Sequence, residues 1–522
     1  MNRVFLRFPS RRSFVAVQDI TKARNQKRAY FLFFDVKALK KYFVLDQKLA
    51  DRGCGCFYLQ PSEYGIKNLT GKQGYYFIVL CDSSTLYDFF SKNVYPILEN
   101  KSKSEYVILS EEFSENREVL EVTEELATVF YLPAGEELIP IAYSPFNYHE
   151  LPFQLNKESA DLLSFGCENS FSIAYLDNGK ITVSPNFGEL ESLYEIDAMD
   201  LLVNTIVGHS GFKNLSILRD ENNFSMISDY IRRFAAVKKI SHIHSHFANL
   251  LADHGFWKEK GIGVVYDNLS YDLNNQIQGG EILYGSLGHF VQAGSWKPVL
   301  LPGGSISNIE PWRITLAMIR ESGKKSLNEI NLPVVKKIRD KTDFKTIFEA
   351  IDNKSINYDI STSMHHILSA AGEMLEFEEN TFDLEYFENR MDPFSVYGKD
   401  EEHFKIPIHE ENGEFQADTI SLFKGLTADL LEHRRGDHML RKVMYSIALA
   451  TANLVEKISK QKKEKKIFLC GESFKHPNFL NLVKGELEKR GMKVFVPKQI
   501  PLDDSGITVG QIIQHLFEKK RS

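Results

Sequence analysis

The stretch SHIHSHFANLLADHGFWKEKGIGVVYDN, residues 241–268, gives the clearest indication of the fold class. Its first half predicts a helix that ends on Gly255, a residue type common just beyond helix ends. Its second half, GIGVVYDN, is an apolar run that predicts a buried strand ending near Asp267. A helix that leads into a buried strand is typical of an α/β domain.

The sequence on either side repeats this alternation. The segment SFSIAYLDNGKITVS, residues 170–184, predicts two strands joined by Asn178-Gly179, because both residues accept the positive φ of a tight hairpin turn. Further predicted elements are a helix at 197–207, a strand at 215–218, a helix at 226–236, a strand at 238–243, a charged and mainly helical stretch at 326–414, a long helix at 418–458, a strand at 467–472 and a final strand, loop and helix at 493–517. The basic run KQKKEKK, residues 460–466, is interpreted as a solvated linker. We therefore expect an α/β fold with mixed sheets.

Length and composition indicate a globular protein of more than one domain. The chain has 522 residues, of which 43% are hydrophobic and 25% charged, and this length exceeds what one core usually supports. We predict a small α/β domain over residues 1–150 and a larger domain over residues 151–522.

Charge and cysteine content limit the partners and the compartment. A formal net charge of -7 gives no general attraction to phosphate backbones, so we do not expect a nucleic-acid partner. The five cysteines form no C-x-x-C pair, which indicates reduced thiols and a cytoplasmic location. We expect no membrane partner, since no apolar run is long enough to span a bilayer. The four arginines of residues 1–18 are interpreted as part of a basic edge strand rather than a transit peptide.

Two candidate metal ligands and one candidate acid of a ligand site lie in the opening stretch. His242 and His246 are four residues apart, so on a helix both face one side and reach one metal ion. Taken alone, this spacing is more often that of surface or capping histidines. Asp267 follows an apolar run at the edge where α/β proteins place ligands, although an Asp-Asn pair is also a common turn initiator.

Glycines at several predicted strand ends are candidates for a nucleotide site. Backbone N–H groups beside a glycine can approach phosphate oxygens closely. Each pair, taken alone, is better explained by a plain turn. The candidates are Gly279, Gly280 with Glu281, Gly303, Gly304, Gly471 and Gly506.

The order of seven segments carries a family resemblance. They are residues 181–192, 240–255, 263–283, 300–313, 360–372, 467–480 and 500–512, with the sequences ITVSPNFGELES, ISHIHSHFANLLADHG, GVVYDNLSYDLNNQIQGGEIL, LLPGGSISNIEPWR, ISTSMHHILSAAG, IFLCGESFKHPNFL and IPLDDSGITVGQI. In this order they resemble the C-terminal part of the hydrogenase-maturation carbamoyltransferases (HypF), which are related to the antibiotic O-carbamoyltransferases and to the TsaD family. The resemblance spans about two-thirds of the chain.

The resemblance implies a fold, a metal and a reaction. The fold is an ASKHA domain, in which two RNase-H-like lobes hold nucleotide and metal between them. The implied metal ligands are His242, His246, Asp267 and Asp504, a set that suits Fe(II), Zn or Mn. The implied cofactors are a divalent metal, Fe(II) or Zn, together with ATP, AMP or a carbamoyl-adenylate, and the glycine loops would bind the nucleotide. The implied reaction transfers a carbamoyl group from the adenylate to a thiol or hydroxyl of an acceptor protein or small molecule, with a separate adenylate-forming enzyme as a further partner.

Several positions depart from the family pattern, mainly on the nucleotide side. Asn268 and Glu472 stand where glycines are typical, and a carboxylate at Glu472 would repel a nearby phosphate. The other departures are His366, Ser369, His476 and Ser505. Residues 1–150 resemble a shortened YrdC-like domain, in which Lys22, Arg24 and Lys27 would face a triphosphate. Taken alone, these three residues are better explained as part of an exposed basic helix.

Three functions are compatible with this pattern. We predict an enzyme, a divergent metal-dependent carbamoyltransferase. The alternatives are a non-catalytic homologue that acts as a metal- or nucleotide-binding scaffold in a maturation complex, and a metal-dependent nucleotide hydrolase. The acceptor, the native metal and the oligomeric state have no signal in the sequence.

Overall fold

The computed structural model of the chain shows two compact units, each formed from segments distant in sequence. Unit 1 comprises Met1–Arg219, Met226–Lys238 and Lys498–Ile512, and unit 2 comprises Asp220–Ser225, Lys239–Pro497 and Ile513–Ser522. The residues that the structure describes are 4–7, 13–17, 29–45, 54–70, 76–81, 87, 90–94, 106–111, 119–121, 129–134, 137–155, 161–190, 193–209, 212, 215–222, 226–234, 237–323, 347, 349–351, 357–375, 402–432 and 437–519.

Unit 1 contains a nine-stranded mixed sheet in its described part. Its strands are β1 (Val4–Arg7), β2 (Ser13–Val17), β3 (Ala29–Phe33), β4 (Cys54–Leu59), β5 (Tyr76–Cys81), β6 (Tyr106–Glu111), β7 (Val119–Glu121), β8 (Val129–Ala134) and β9 (Glu137–Tyr143). They are arranged in the order β7-β1-β2-β6-β3-β5-β4-β8-β9. The central strand β3 is buried on both faces: Tyr30 and Leu32 pack into one apolar cluster, Phe31 and Phe33 into another, as the period of two along a strand requires. Helix α1 (Val36–Tyr42) follows β3 and packs into the second cluster.

A second mixed sheet begins at β10 (His149–Gln154) and runs β10-β13-β12-β11-β14-β15. Its other strands are β11 (Leu162–Ser164), β12 (Ala174–Asp177), β13 (Lys180–Val183), β14 (Ser216–Asp220) and β15 (Val237–Ile240), and its helices are α2 (Leu193–His209) and α3 (Met226–Tyr230). The predicted hairpin is confirmed, since Asn178 and Gly179 join β12 to β13 with φ of 49° and 80°. The chain passes from the first sheet to the second between residues 143 and 149. The predicted boundary between two domains at residue 150 stays a prediction.

The sheet of unit 2 has β16 and β17 at its centre. Its strands are β16 (Gly261–Tyr271), β17 (Ile277–Ser286), β18 (His289–Trp296), β19 (Val299–Pro302), β20 (Tyr358–Ser361), β21 (Ile408–Glu411), β22 (Glu414–Ala417), β23 (Lys466–Cys470) and β24 (Lys493–Phe495). The main order is β21-β22-β18-β17-β16-β23-β24, with β20 paired to β17 and β19 paired to β20. β16 pairs antiparallel with β17 and parallel with β23, so the predicted mixed α/β fold is confirmed.

The remaining helices follow β15 in the chain, and three predicted boundaries in this part of the sequence differ from the structure. The helices are α4 (His242–Asp253), α5 (Ile306–Ile309), α6 (Trp312–Glu321), α7 (Met364–Met374), α8 (Thr419–Leu431), α9 (Asp437–Lys462), α10 (Pro477–Glu488) and α11 (Ile507–Lys519). The single helix predicted at 418–458 is two helices, α8 and α9. The predicted strand at 238–243 ends at Ile240, because α4 begins at His242. The basic run is not all linker: α9 continues to Lys462, and β23 begins at Lys466.

Two further predictions concern residues that the structure describes only in part. Most of the stretch 326–414 lies outside the described residues, as do Lys22, Arg24 and Lys27. Within the described part of that stretch, strand β20 precedes α7, so the stretch is not uniformly helical. Among the described helices, none combines the length and the apolar character needed to cross a membrane.

Candidate metal centre

Helix α4 places two histidines on one of its faces. His242 is the first residue of the helix, and His246 lies one turn later, so their rings come to 5.0 Å between centroids. Both residues are buried, at 2% exposure each. The sequence spacing therefore produces the pair that the prediction required.

Asp267 meets this pair from the neighbouring strand β16. The register between β16 and β17 shifts between Tyr266 and Ser270, and parallel pairing with β23 ends at Val265. Asp267 lies at this irregularity rather than at the end of β16, which continues to Tyr271. Its Oδ2 atom is 2.9 Å from Nε2 of His242 and 3.4 Å from Nε2 of His246.

A fourth residue of unit 2, Asp220, was not predicted from the sequence. It is the last residue of β14, and its Oδ2 atom is 2.5 Å from Nδ1 of His242. Because a carboxylate accepts hydrogen bonds, Nδ1 donates to Asp220, and in the neutral imidazole Nε2, which faces Asp267, keeps the lone pair that a metal ion would use. The only sequence signal was an acid two residues after the predicted strand at 215–218, with Arg219 between them.

The electrostatics favour an ionised carboxylate at Asp267. Burial alone would raise its pKa, but the positive charges of protonated His246 and His242, and the hydrogen bonds that they donate, hold the pKa well below its usual range. The other oxygen, Oδ1, accepts a hydrogen bond of 3.0 Å from the N–H of Glu472. The ligand atoms of His242, His246 and Asp267 lie within 4.8 Å of one another. Two imidazole nitrogens and a carboxylate directed at one buried point fit a divalent transition metal.

Asp504 belongs to unit 1 and stands in a tight helical turn, Asp504–Gly506, before α11. Asn169 donates to its Oδ2 atom at 3.4 Å. Asp503 caps the turn by accepting from the N–H of Ser505, and the N–H of Gly506 donates to the Asp503 carbonyl at 3.0 Å. These hydrogen bonds stabilise the turn formed by Asp504, Ser505 and Gly506. The role of Asp504 as a metal ligand stays a prediction.

The first glycine pair is held by the side chain that follows it. The N–H groups of Gly279 and Gly280 donate to Oε2 of Glu281 at 2.6 and 2.9 Å, and the Thr362 hydroxyl donates to the other oxygen. Glu281 is buried, and burial raises its pKa to about 7 despite these hydrogen bonds. The two amides predicted to face a phosphate therefore bind a carboxylate of the chain itself.

The other glycines make close turns. Gly303 and Gly304 follow β19 with φ of 89° and 66°, and their N–H groups donate to the carbonyls of Asn357 and Leu301. Gly471 follows β23 with φ of 96°, and a Cβ there would collide with the backbone of Tyr266. These geometries explain why glycine is needed, and a nucleotide role for these turns stays a prediction.

Two departures from the family pattern contact each other. The side-chain amide of Asn268 donates to the carboxylate of Glu472. The same carboxylate pairs with Nζ of Lys475 at 2.6 Å. The two substitutions are therefore coupled, although they are 204 positions apart in sequence.

The histidines among the departures are buried and neutral. His366 bonds through Nδ1 to the Ser361 hydroxyl at 2.7 Å and through Nε2 to the side-chain oxygen of Asn308 at 2.8 Å. Burial lowers the pKa of His366 and of His476 well below the usual value. At neutral pH neither histidine therefore carries a positive charge.

Fold and site together define a mixed α/β protein with a buried histidine–aspartate centre, and comparison with known proteins gives its family. The family model described as HypF Kae1-like domain matches residues 157–253. The model described as carbamoyltransferase, Kae1-like domain, second subdomain matches residues 263–511. The chain belongs to the HypF-like carbamoyltransferase family.

Curated relatives and solved structures agree with this assignment. The carbamoyltransferase HypF of Synechocystis is 21% identical over 70% of this chain and 48% of its own length. The HypF of Rhodobacter capsulatus is 24% identical over 52% of this chain and 35% of its own length. The chain thus spans at most about half the length of these relatives. The crystal structure of full-length HypF in the phosphate- and nucleotide-bound form shares the fold, with a TM-score of 0.78 and 17% identity over 99% of this chain and 84% of that one. The crystal structure of T. kodakarensis HypF also has a TM-score of 0.78, with 16% identity over 100% of this chain and 72% of that one.

Proposed function

We propose that this chain is a divergent, metal-dependent carbamoyltransferase. It would transfer a carbamoyl group from a carbamoyl-adenylate to the thiol or hydroxyl of an acceptor protein or small molecule. The observation that carries the proposal is the buried group of His242, His246 and Asp267, which lies within the segments that match the family.

The metal would be held by His242 and His246 through Nε2 and by Asp267 through Oδ2, with Asp504 as the fourth ligand that the family resemblance implies. Asp220 supports this use of His242, because its hydrogen bond fixes the tautomer that leaves Nε2 available. When bound, a divalent ion would polarise a carbonyl or phosphate oxygen of the adenylate. Fe(II), Zn and Mn all suit this donor set.

In the transfer itself, the acceptor sulfur or oxygen attacks the carbamoyl carbon. The bond from that carbon to the phosphate oxygen breaks, AMP leaves with the electron pair, and the acceptor proton passes to solvent. No covalent bond to the chain is required. The burial of His242, His246 and Asp267 supports a role in excluding water, which would otherwise hydrolyse the adenylate. The turns at Gly303, Gly471 and Gly506 would hold the nucleotide part.

A transfer assay tests the proposal. The chain is incubated with ATP, radiolabelled carbamoyl phosphate and a separate adenylate-forming enzyme, with dithiothreitol as the thiol acceptor. We expect labelled thiocarbamate to accumulate with the unmodified chain and to be lost with His246→Ala. The variant His409→Ala, at an exposed position in β21, should retain transfer. Equal labelling with and without the chain would contradict the proposal.

A scaffold function is the second candidate, and specific contacts favour it. The amides of Gly279 and Gly280 are occupied by Glu281, and the carboxylate of Glu472 accepts from the side chain of Asn268, the residue after Asp267. A scaffold would bind the metal without transfer activity. Full metal occupancy combined with no transfer and no thermal stabilisation by ATP would support the scaffold over the enzyme.

A further inference from the structure

The turn after β23 brings an amide and an ammonium group to one carboxylate. Glu472 opens the short helical turn Glu472–Lys475. One of its carboxylate oxygens is 2.6 Å from Nζ of Lys475, and the other accepts from the side-chain amide of Asn268. The side chain of Glu472 is only 12% exposed.

These two donors have the chemistry of an anion site. An ammonium and an amide N–H bind phosphate oxygens as well as they bind carboxylate oxygens, because both acceptors are anionic. Glu472 is three residues from Lys475 on the same turn, so it competes with any external anion at a high effective concentration. An external phosphate can use these donors only if it displaces Glu472.

The site lies beside the candidate metal ligand. The N–H of Glu472 donates to Oδ1 of Asp267, and Asn268 is the next residue after Asp267. Any phosphate ester bound near Asp267 therefore approaches a second carboxylate. Each additional phosphate group increases the repulsion, and partial burial reduces the screening by solvent.

We propose that Asn268 and Lys475 form an anion-binding subsite that the chain's own Glu472 occupies, and that this occupancy selects nucleoside monophosphate esters over polyphosphates. The inference rests on the proposed function, since it specifies which nucleotide ligands the same centre accepts. A monophosphate ester, such as AMP or an acyl-adenylate, has no further phosphates to place against Glu472. A triphosphate would have to break the contacts of Glu472 with Asn268 and Lys475.

Binding measurements on four variants test the inference. Titration calorimetry with AMP and with ATP, both with excess Mg²⁺, compares the unmodified chain with three test variants and one control. The test variants are Glu472→Ala, Glu472→Gln and the double variant Glu472→Ala with Lys475→Met. Glu488→Ala, at an exposed position in α10, is the control. Thermal unfolding checks that every variant is folded.

We expect Glu472→Ala to increase the affinity for ATP about tenfold, with a change for AMP below about threefold, since only the polyphosphate uses the vacated donors. The added Lys475→Met should remove that gain. Glu472→Gln should give a smaller gain, because it removes the charge but keeps a group that binds Asn268. The control should match the unmodified chain for both nucleotides.

An unchanged ratio of ATP to AMP affinity in Glu472→Ala would overturn the subsite, and so would a gain that survives Lys475→Met. Absence of nucleotide binding in every variant would overturn it as well. If Glu472→Ala changes the ratio of ATP to AMP affinity but the unmodified chain transfers no carbamoyl group, the subsite is supported and the proposed enzyme is not. Failure of the subsite and failure of the proposed function are therefore distinguishable.

Discussion

The Oδ2 atom of Asp220 lies 2.5 Å from Nδ1 of His242, although the two residues stand on different elements, β14 and α4. The contact orients the imidazole so that Nε2 faces Asp267 at 2.9 Å. A carboxylate behind a metal-binding histidine fixes its tautomer and increases its basicity. Asp220 is therefore a positioning residue for the candidate metal centre.

Replacing Asp220 should weaken metal binding without removing a metal ligand. We expect Asp220→Asn to lower the affinity for Zn²⁺ by about 10–100-fold, because the amide can donate to His242 and favour the wrong tautomer. Competition with a chromophoric chelator measures the affinity. Asp229→Asn, a change at an exposed position in α3, should leave it unchanged. Equal affinity in Asp220→Asn and the unmodified chain would show that Asp220 does not position His242.

Glu281 should make the stability of the chain depend on pH. Burial raises its pKa from 4.5 to about 7, so between these values the folded chain holds a proton that the unfolded chain releases. Stability should therefore fall as pH rises through this interval. We expect the urea midpoint to decrease from about pH 5 to about pH 8, and Glu281→Gln to reduce that decrease because the amide has no proton to lose. Parallel pH profiles for the two proteins would contradict the assignment.

Gly471 should not tolerate a side chain. Its φ of 96° is unfavourable for other residues, and a Cβ would meet the backbone of Tyr266. We expect Gly471→Ala to reduce the free energy of unfolding by about 1–3 kcal/mol. Gly485→Ala is the matched control: in helix α10 a Cβ at this position meets nothing within 4 Å, so the change should stabilise the chain by about 0.5–1 kcal/mol. The account of the turn is wrong if both variants have the same stability.

The sequence predicted the parts of the site that depend on local structure. The spacing of His242 and His246 became a shared helix face because α4 includes both, and the family resemblance implied Asp267 as their partner. The hairpin at Asn178-Gly179 was predictable because turn geometry depends on those two residues alone.

The remaining contacts depend on tertiary structure. Asp220 looked like any acid after a strand, and its role follows from where β14 ends relative to α4. The pairing of Asn268 with Glu472 joins residues from β16 and from the turn after β23, which a single sequence does not relate. The prediction that the Gly279 loop binds phosphate stays a prediction, and the sequence did not show that Glu281 would turn back onto its amides.

The central claim is that His242, His246 and Asp267 hold a divalent metal. Elemental analysis of the purified chain by mass spectrometry tests it most directly. We expect about one equivalent of iron or zinc per chain, and less than about a tenth of that in His242→Ala with His246→Ala, since two of the ligands are then missing. His409→Ala should retain the full amount. A folded, unmodified chain that contains no transition metal, and binds none when Fe(II) or Zn²⁺ is added, would contradict the account.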